Sequence, residues 1–241
     1  MNNKDLLNIV ASYLDLDNFI NFKNYYENEY NDQLYTVCYE HISRGFNYYI
    51  IFYKIFINNM TKHIYSMSID YKEYEINDHN LKCFIKLDYL RITRNHNITD
   101  EGVKNLINIT NLHINKFITY KGIKQLPKSK ILNIGMESYI TNEQLNKLTN
   151  LNELNFCTNY DITDEGIKDL INLKILIVND NITDEGIKNL INITDITINF
   201  NITFEALIKL PNLKHIRIIT EYPGFTEEQY EILNKKKIYL Y

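Results

Sequence analysis

The chain has 241 residues, of which 45% are hydrophobic and 23% are charged, and its formal net charge is -4. This apolar content can bury a continuous core, so the composition indicates a globular protein and disfavours a disordered one. The slightly acidic balance disfavours nucleic-acid binding, because phosphate contacts need Lys and Arg clustered on one face.

Residues 1–45 carry two successive helical patterns of apolar side chains. The first runs through Leu6, Leu7, Val10, Tyr13 and Leu14, and the second through Leu16, Phe19, Ile20 and Tyr26. Spacings of three and four residues place these side chains on one face of each helix. We therefore predict an α-helical region at 1–45.

The string DLLNIVASYLDLDNFINF in this region resembles the opening of the F-box, typically L-P-x-x-L-L-x-x-I-x-S-Y-L-x-x-x-D-L. The resemblance implies binding to a Skp-family adaptor of a cullin-RING ubiquitin ligase. The adaptor contacts that it implies are Leu6, Leu7, Val10, Tyr13, Leu14, Leu16 and Phe19. The alternative is that these helices only cap the following repeats, since a terminal repeat leaves its core open to water.

Residues 46–63 include the most apolar stretch, FNYYIIFYKIFI. It is about twelve residues long and contains Lys54, whereas a span of the bilayer needs about twenty apolar residues. We expect this stretch to join the helical region to the first repeat. The sequence MNNKDLLNIVASYL lacks the pattern of a signal peptide, so neither export by that route nor membrane binding is expected.

Residues 64–241 repeat with a period of 20 to 23 residues. The pentapeptide ITDEG begins at Ile98, Ile162 and Ile182, and weaker copies begin at Ile76, Ile118, Ile140, Ile202 and Phe225. The fifth and eighth residues after each of these anchors are apolar or aromatic, as in Ile167 and Leu170. A step of three residues predicts that both lie on one face of a short helix.

Ahead of each anchor the chain reads apolar-x-x-apolar-x-apolar, and the last two positions alternate as in a half-buried strand. Three residues past the strand, Asn95, Asn159, Asn181 and Asn201 recur. We expect these amides to turn inward and satisfy backbone groups at the bend. The resulting LxxLxLxxN pattern resembles the leucine-rich repeat, which implies an α/β solenoid of horseshoe shape with a parallel concave sheet and short convex helices.

The ITDEG phrase is similar to the repeats of F-box leucine-rich-repeat proteins, in which an I-T-D-x-G-L segment opens the convex helix. Frequent Asn, Ile, Lys and Tyr with no Trp is similar to the usage of AT-rich genomes, as in amoebae and their giant viruses. Thr99, Thr163 and Thr183 are expected to cap helices, and Thr141 and Thr226 to open capping boxes.

The residues between the inward strand positions should point out of the concave sheet, where we expect a partner protein to bind. The candidate set is Tyr89, Arg91, Asn111, His113, Ile131, Asn133, Glu153, Asn155, Ile175, Ile177, Asp195, Thr197, His215 and Arg217. Tyr and Arg are common in binding hot spots, and Ile131, Ile175 and Ile177 should form an exposed apolar patch. The alternative is that any repeat protein displays such a row.

Five Asn-Ile-Thr sequons begin at Asn97, Asn108, Asn181, Asn192 and Asn201. Glycans on asparagines that turn into the bend would oppose folding. We therefore expect a cytoplasmic location, or the host cytoplasm for a viral protein.

No catalytic constellation is evident in the sequence. His113 and His215 lie roughly 24 Å apart at the spacing of paired strands, which is too far for a shared metal, and the three cysteines lack CxxC spacing. We expect no enzyme, no cofactor and no metal, and buried free thiols. The expected function is a non-catalytic substrate receptor for a Skp-cullin-type ubiquitin ligase, with a free-standing binder or inhibitor as the alternative.

Overall fold

The structure is a computed structural model that describes residues 66–69, 77–82, 84–92, 95–218 and 224–241. The F-box-like segment at 1–45, with every adaptor contact implied for it, and the joint at 46–63 lie outside these residues. The described chain divides into two compact units, one within 1–110 and 125–128 and the other formed by 111–124 and 129–241.

Among its described residues, the first unit contains two strands and two short helices. They are β1 (Ser66–Ile69), α1 (Asp78–Leu81), β2 (Tyr89–Ile92) and α2 (Asp100–Val103). The strands pair in parallel, with Met67 beside Leu90 and Ile69 beside Ile92. All four of these side chains are buried, as the alternation predicted.

The second unit repeats a strand and a helix along the chain. Its strands are β3 (Asn111–Ile114), β4 (Ile131–Ile134), β5 (Glu153–Asn155), β6 (Ile175–Ile177), β7 (Asp195–Ile198), β8 (His215–Ile218) and β9 (Tyr239–Leu240). The helices are α3 (Tyr120–Ile123), α4 (Asn142–Leu145), α5 (Asp164–Ile167), α6 (Asp184–Ile187), α7 (Phe204–Lys209) and α8 (Glu227–Lys236). Each strand pairs in parallel with the next one in the sequence.

One face of this parallel sheet forms the core of the second unit. A single column of side chains crosses the paired strands in register, and its members are Leu112, Leu132, Leu154, Leu176, Ile196 and Ile216. Every member is buried. Burying a side chain of this size contributes about 1.5 to 3 kcal/mol, so stacking one repeat on the next stabilises both.

Most helices of the second unit are shorter than the sequence pattern predicted. Helix α5 ends at Ile167, and Leu170, which we expected on the same helical face, lies in the turn after it. The Leu170 N–H donates to the Ile167 carbonyl over 2.9 Å, and both side chains are buried. The chain must return to the next strand within a repeat of about twenty residues, which leaves room for one helical turn and a tight bend.

The buried asparagines differ in part from the predicted ones. Asn95 and Asn159 are buried as expected, whereas Asn181 and Asn201 are exposed, and the buried residues of those two repeats are Asn179 and Asn199. The prediction counted three residues forward from the strand. In these two repeats the loop between the strand and the anchor isoleucine is two residues shorter. In all four repeats the buried asparagine lies three residues before the anchor isoleucine.

Asn159, Asn179 and Asn199 each join two neighbouring repeats. The Asn179 side-chain oxygen accepts from the Asn181 N–H over 2.8 Å, which closes a local turn. Its amide donates to the carbonyls of Asn159 and Ile162 in the preceding repeat, the second over 2.8 Å. Asn199 repeats the pattern with Asn201, Asn179 and Ile182. These amides satisfy buried backbone groups that would each cost about 1 to 3 kcal/mol if left unpaired.

A second inter-repeat contact joins the starts of several successive helices. The Thr183 N–H and hydroxyl donate to the two carboxylate oxygens of Asp164, over 2.9 and 2.6 Å. Thr203 binds Asp184 in the same way. Thr163 meets Asn142 instead, accepts from its amide, and makes no side-chain cap bond, so it occupies the expected cap position without the expected cap.

The glycine of ITDEG is explained by this contact. A Cβ at Gly186 would overlap the Asp164 carboxylate that binds Thr183, and a Cβ at Gly166 would lie 2.6 Å from the Asn142 side-chain oxygen. Only a residue without a side chain lets the helix approach the preceding one so closely. The capping boxes expected at Thr141 and Thr226 are both present, with Gln144 and Gln229 as partners.

Candidate functional site

The strand side chains of the second unit that do not enter the core form what we term the open sheet face. Its first column, in register across the strands, is Asn111, Ile131, Glu153, Ile175, Asp195 and His215. Its second column is His113, Asn133, Asn155, Ile177, Thr197 and Arg217. Tyr89 and Arg91, the other two residues of the predicted site, occupy the corresponding positions of β2 in the first unit.

Side chains of the open sheet face are more covered than the sequence suggested. Ile131, Ile175 and Ile177, expected to form an exposed patch, are half-buried, and Arg217 is the exposed member of the two columns. Parallel strands lie about 4.7 to 4.9 Å apart, so each side chain is flanked by those of the neighbouring strands. The apolar groups therefore form part of a continuous surface, not isolated protrusions.

The first column alternates hydrogen-bond acceptors with isoleucine. Glu153 pairs in register with Ile131 on one side and Ile175 on the other, and Ile175 is followed by Asp195. Burial raises the pKa of the Glu153 carboxyl above its ordinary value. Asp195 accepts a hydrogen bond from the Thr194 hydroxyl over 2.6 Å. The column thus presents carboxylates on β5 and β7 around an apolar strip on β6.

The second column contains side-chain amides held by local hydrogen bonds. The Asn133 amide nitrogen lies 3.1 Å from His113 Nε2 on the neighbouring strand. The Asn155 side-chain oxygen accepts from the Cys157 N–H over 3.2 Å at the end of its own strand. These bonds hold the polar side chains of the second column in place beside the first column.

An aromatic and cationic group lies at the last strands of the sheet, and the sequence analysis missed half of it. The His215 ring stacks on Tyr239 at 5.6 Å between centroids, and Tyr241 lies at the same distance. The Arg217 guanidinium lies 6.0 Å from the Tyr241 ring centroid. The alternation of Ile238, Tyr239, Leu240 and Tyr241 was the available signal, because it has the period of a strand that pairs with β8.

The chemistry of the described residues offers binding groups but no assembled reaction centre. Glu153 and Asp195 are separated by an intervening strand that carries Ile175. Among the described residues no three His, Cys, Asp or Glu side chains come together as a metal site. Cys157 is a free thiol that is half-buried, not fully buried as expected.

Within the described ranges, no helix has the length and apolar character needed to cross a membrane.

Exposed apolar side chains also follow several strands of the second unit. They are Met136, Tyr139, Tyr160 and Phe200, and each is more than half exposed. Sequence reasoning did not single them out, because they lie in loops whose length varies between repeats. They follow closely in sequence the strands that carry the open sheet face.

Comparisons with known proteins bear on the fold. No family model and no curated protein matches the chain. Among solved structures, an internalin from Listeria monocytogenes is 20% identical with a TM-score of 0.49, and the match covers 67% of this chain and 49% of that one. Internalin C2 of the same species is 20% identical with a TM-score of 0.46, over 66% of this chain and 82% of its own.

A structure of the Toll–Spatzle complex of Drosophila is also similar, at 15% identity and a TM-score of 0.50. The match covers 65% of this chain and 24% of that chain. Together with the repeating parallel strands and one-turn helices, this likeness supports the fold class predicted from the sequence. The chain has the leucine-rich-repeat fold. It spans about half the length of the first internalin and about a quarter of the Toll-complex chain.

Proposed function

We propose that this chain is a non-catalytic protein-interaction module whose binding surface is the open sheet face. One observation carries the proposal: a partly desolvated carboxylate at Glu153 lies between isoleucines on a surface that is not part of the core. Folding alone gives no reason to place a charge there, since desolvating it costs free energy. A partner that supplies the missing interaction gives one.

The fold is compatible with this role. One structure of similar fold is that of the Toll–Spatzle complex, so at least one chain with this architecture is known in a complex. Repeat solenoids offer extended surfaces whose side chains can vary without affecting the core. Tyr239 and Arg217, on the last two strands, are of residue types enriched in binding hot spots, and the half-buried Ile175 and Ile177 add apolar area.

The proposal is tested by comparing two Ile→Asp variants of the full chain in affinity purification from the native cell. Ile177→Asp places a charge on the open sheet face. Ile191→Asp places the same charge on an exposed turn after α6, where the isoleucine is 52% exposed. We expect Ile177→Asp alone to lose the specific partners while both variants keep the wild-type circular dichroism. Equal partner sets for the two variants would contradict a binding role for this face.

We further propose that the module is the substrate receptor of a Skp-cullin-type ubiquitin ligase. The support is the F-box-like string DLLNIVASYLDLDNFINF, in which Leu7 and Leu14 occupy adaptor-contact positions of the family pattern. The alternative is a free-standing binder or inhibitor whose first helices only cap the repeats. This receptor role includes a cytoplasmic location. The sequons at Asn181 and Asn201 do not support that location, because both side chains are exposed and not turned into the bend as expected.

The two alternatives differ in adaptor binding. For a receptor, the purified full chain should bind a recombinant Skp-family adaptor, and Leu7→Asp with Leu14→Asp should abolish that binding. Ile191→Asp serves again as the control that leaves the N-terminal segment intact. Absence of adaptor binding by the wild-type chain would exclude the receptor role and leave the free-standing binder.

A further inference from the structure

The first column of the open sheet face presents an acceptor on every second strand. Asn111 lies on β3, Glu153 on β5 and Asp195 on β7, with Ile131 and Ile175 on the strands between them. The Asn111 side-chain oxygen is buried and has no hydrogen-bond partner within the described residues. Neither carboxylate has an ion pair to another described residue of the chain. The column is therefore a row of acceptors, separated by apolar groups, that have no cationic or N–H partner among the described residues. One Asp195 oxygen accepts from the Thr194 hydroxyl.

The spacing of this row restricts what can bind it. Adjacent strands are about 4.7 to 4.9 Å apart, so the carboxylates on β5 and β7 are spaced by about 9 to 10 Å, with Ile175 midway. In an α-helix that crosses the strands, residues i, i+4 and i+7 rise by about 6 and 10.5 Å, so each turn meets one strand. In an extended segment, side chains on one face repeat at about 6.6 Å and about 13 Å. These distances match neither the spacing of adjacent strands nor that of the two carboxylates.

We propose that the open sheet face binds a basic amphipathic α-helix of a partner protein, lying across β4 to β7. Its apolar side chains rest on Ile131 and on Ile175 with Ile177, and its Lys or Arg side chains pair with Glu153 and Asp195. The proposal rests on the proposed interaction function and names the chemical class of the partner. The pattern required of the helix is apolar, basic, apolar and basic at i, i+4, i+7 and i+11.

The charges of the face support this occupant. Burial alone raises the pKa of the Glu153 carboxyl, and the side chains in register with it are isoleucines, so a cation from the partner replaces lost solvation. At the other end of the face, exposed Arg217 on β8 carries a positive charge. It favours an acidic residue one turn beyond the second basic residue of the helix.

The test uses the full chain and synthetic helical peptides of about twenty residues. All share Leu at i and i+7, and they carry Lys, Gln or Glu at both i+4 and i+11. A fourth peptide has the Lys sequence with a central proline, which disrupts the helix. Dissociation constants are measured by fluorescence anisotropy at low and at physiological salt. We expect the Lys peptide to bind about 5- to 20-fold more tightly than the Gln peptide, and the Glu peptide more weakly than both.

Two variants assign the preference to this column. Glu153→Gln with Asp195→Asn should abolish the discrimination between Lys and Gln peptides. The matched control, Glu205→Gln with Glu228→Gln, removes the same charge from exposed positions on α7 and α8 and should leave it unchanged. Circular dichroism of each variant verifies that it is folded.

Apart from the result with the proline peptide, three results would overturn the proposal. They are equal binding of Lys and Glu peptides, a preference for Lys that survives in the Glu153→Gln, Asp195→Asn variant, and failure of every peptide to bind. Equal binding by the proline peptide would replace the helix with an extended partner and equally overturn it. If native partners are lost in Ile177→Asp while the peptides do not discriminate, the interaction function stands and only the basic-helix inference fails.

Discussion

Asn179 and Asn181 are two residues apart, yet only Asn179 is buried. Its side chain makes bonds within its own turn and to two carbonyls of the preceding repeat. The Asn181 amide donates to one carbonyl, that of Tyr160, from an exposed position. At the residue scale, identical side chains in one sequence phrase therefore contribute unequally to stability.

This difference yields a paired prediction. Asn179→Ala leaves buried carbonyls without donors and should lower the free energy of unfolding by about 1 to 3 kcal/mol or more. Asn181→Ala leaves a carbonyl that water can reach, so its effect should stay within about 0.5 kcal/mol. Urea denaturation followed by circular dichroism measures both. If Asn181→Ala were the more destabilising change, our assignment of Asn179 as the structural asparagine of this repeat would be wrong.

Gly186 offers a test of the contact between successive helices. Gly186→Ala should destabilise the protein, because the new methyl group displaces the Asp164 carboxylate from Thr183. In an Asp164→Ala background the carboxylate is gone, and the same glycine change should cost much less. A double-mutant cycle in urea should therefore give a coupling of about 0.5 to 3 kcal/mol. Additive effects would show that the glycine is required for some other reason.

Glu153 carries a pH dependence whose sign is determined by its environment. Burial raises the pKa of this carboxyl above 4.5, so the folded state holds the proton more tightly than the unfolded state does. Ionisation therefore costs stability above the folded pKa, and the cost disappears as pH falls below the unfolded pKa. Glu153→Gln should raise the Tm at pH 7, with the gap closing on acidification.

Glu143 provides a control of opposite sign. A hydrogen bond from Lys147 lowers the pKa of the Glu143 carboxyl, so its ionised form favours the folded state above the unfolded pKa. Glu143→Gln should therefore lower the Tm slightly at pH 7, with that difference lost as pH falls. Equal responses of the two variants would contradict the assignment for Glu153.

At the scale of the element, strands were easier to predict than helices. The alternation of apolar residues in β7 and its neighbours determines which side chains are buried, because a strand has a fixed period of two. Helix α5 was predicted to include Leu170, yet it stops at Ile167. Apolar residues three positions apart are buried together both in a longer helix and in a one-turn helix followed by a bend. The sequence pattern therefore could not distinguish the two structures.

Helix α8 differs from the one-turn helices, since it spans Glu227–Lys236 and begins with a capping box. Its Leu233 is buried, whereas Tyr230 on the same helix is 43% exposed. Leu233→Asp should destabilise the protein by more than about 3 kcal/mol, because it buries an unpaired charge. Tyr230→Asp, the change at an exposed position, loses the edge contact with Phe225 but buries no charge, so its effect should be smaller. Thermal unfolding of the two variants compares them directly.

At the scale of the whole molecule, the repeat period was enough to predict the fold class, because each repeat must share its core with the next. The period did not predict contacts that depend on loop length, such as the exchange of Asn181 for Asn179. Nor did it indicate Tyr239 and Tyr241, which lie beyond the last complete repeat pattern. The strand positions that lie outside the core could be predicted, but the partial burial of Ile175 follows from neighbouring strands that a linear pattern does not reveal.

In a repeat protein each turn contacts mainly its neighbours, so damage at one place should spread unevenly. Leu176 lies on β6 between two paired strands, whereas Leu233 lies on the last helix of the second unit. Hydrogen exchange with mass spectrometry should show that Leu233→Ala raises exchange in β8 and β9 while β4 and β5 remain protected. Leu176→Ala should raise exchange on both sides of β6. Uniform loss of protection in both variants would mean that the second unit unfolds as a single cooperative body and that nearest-neighbour coupling does not limit the spread.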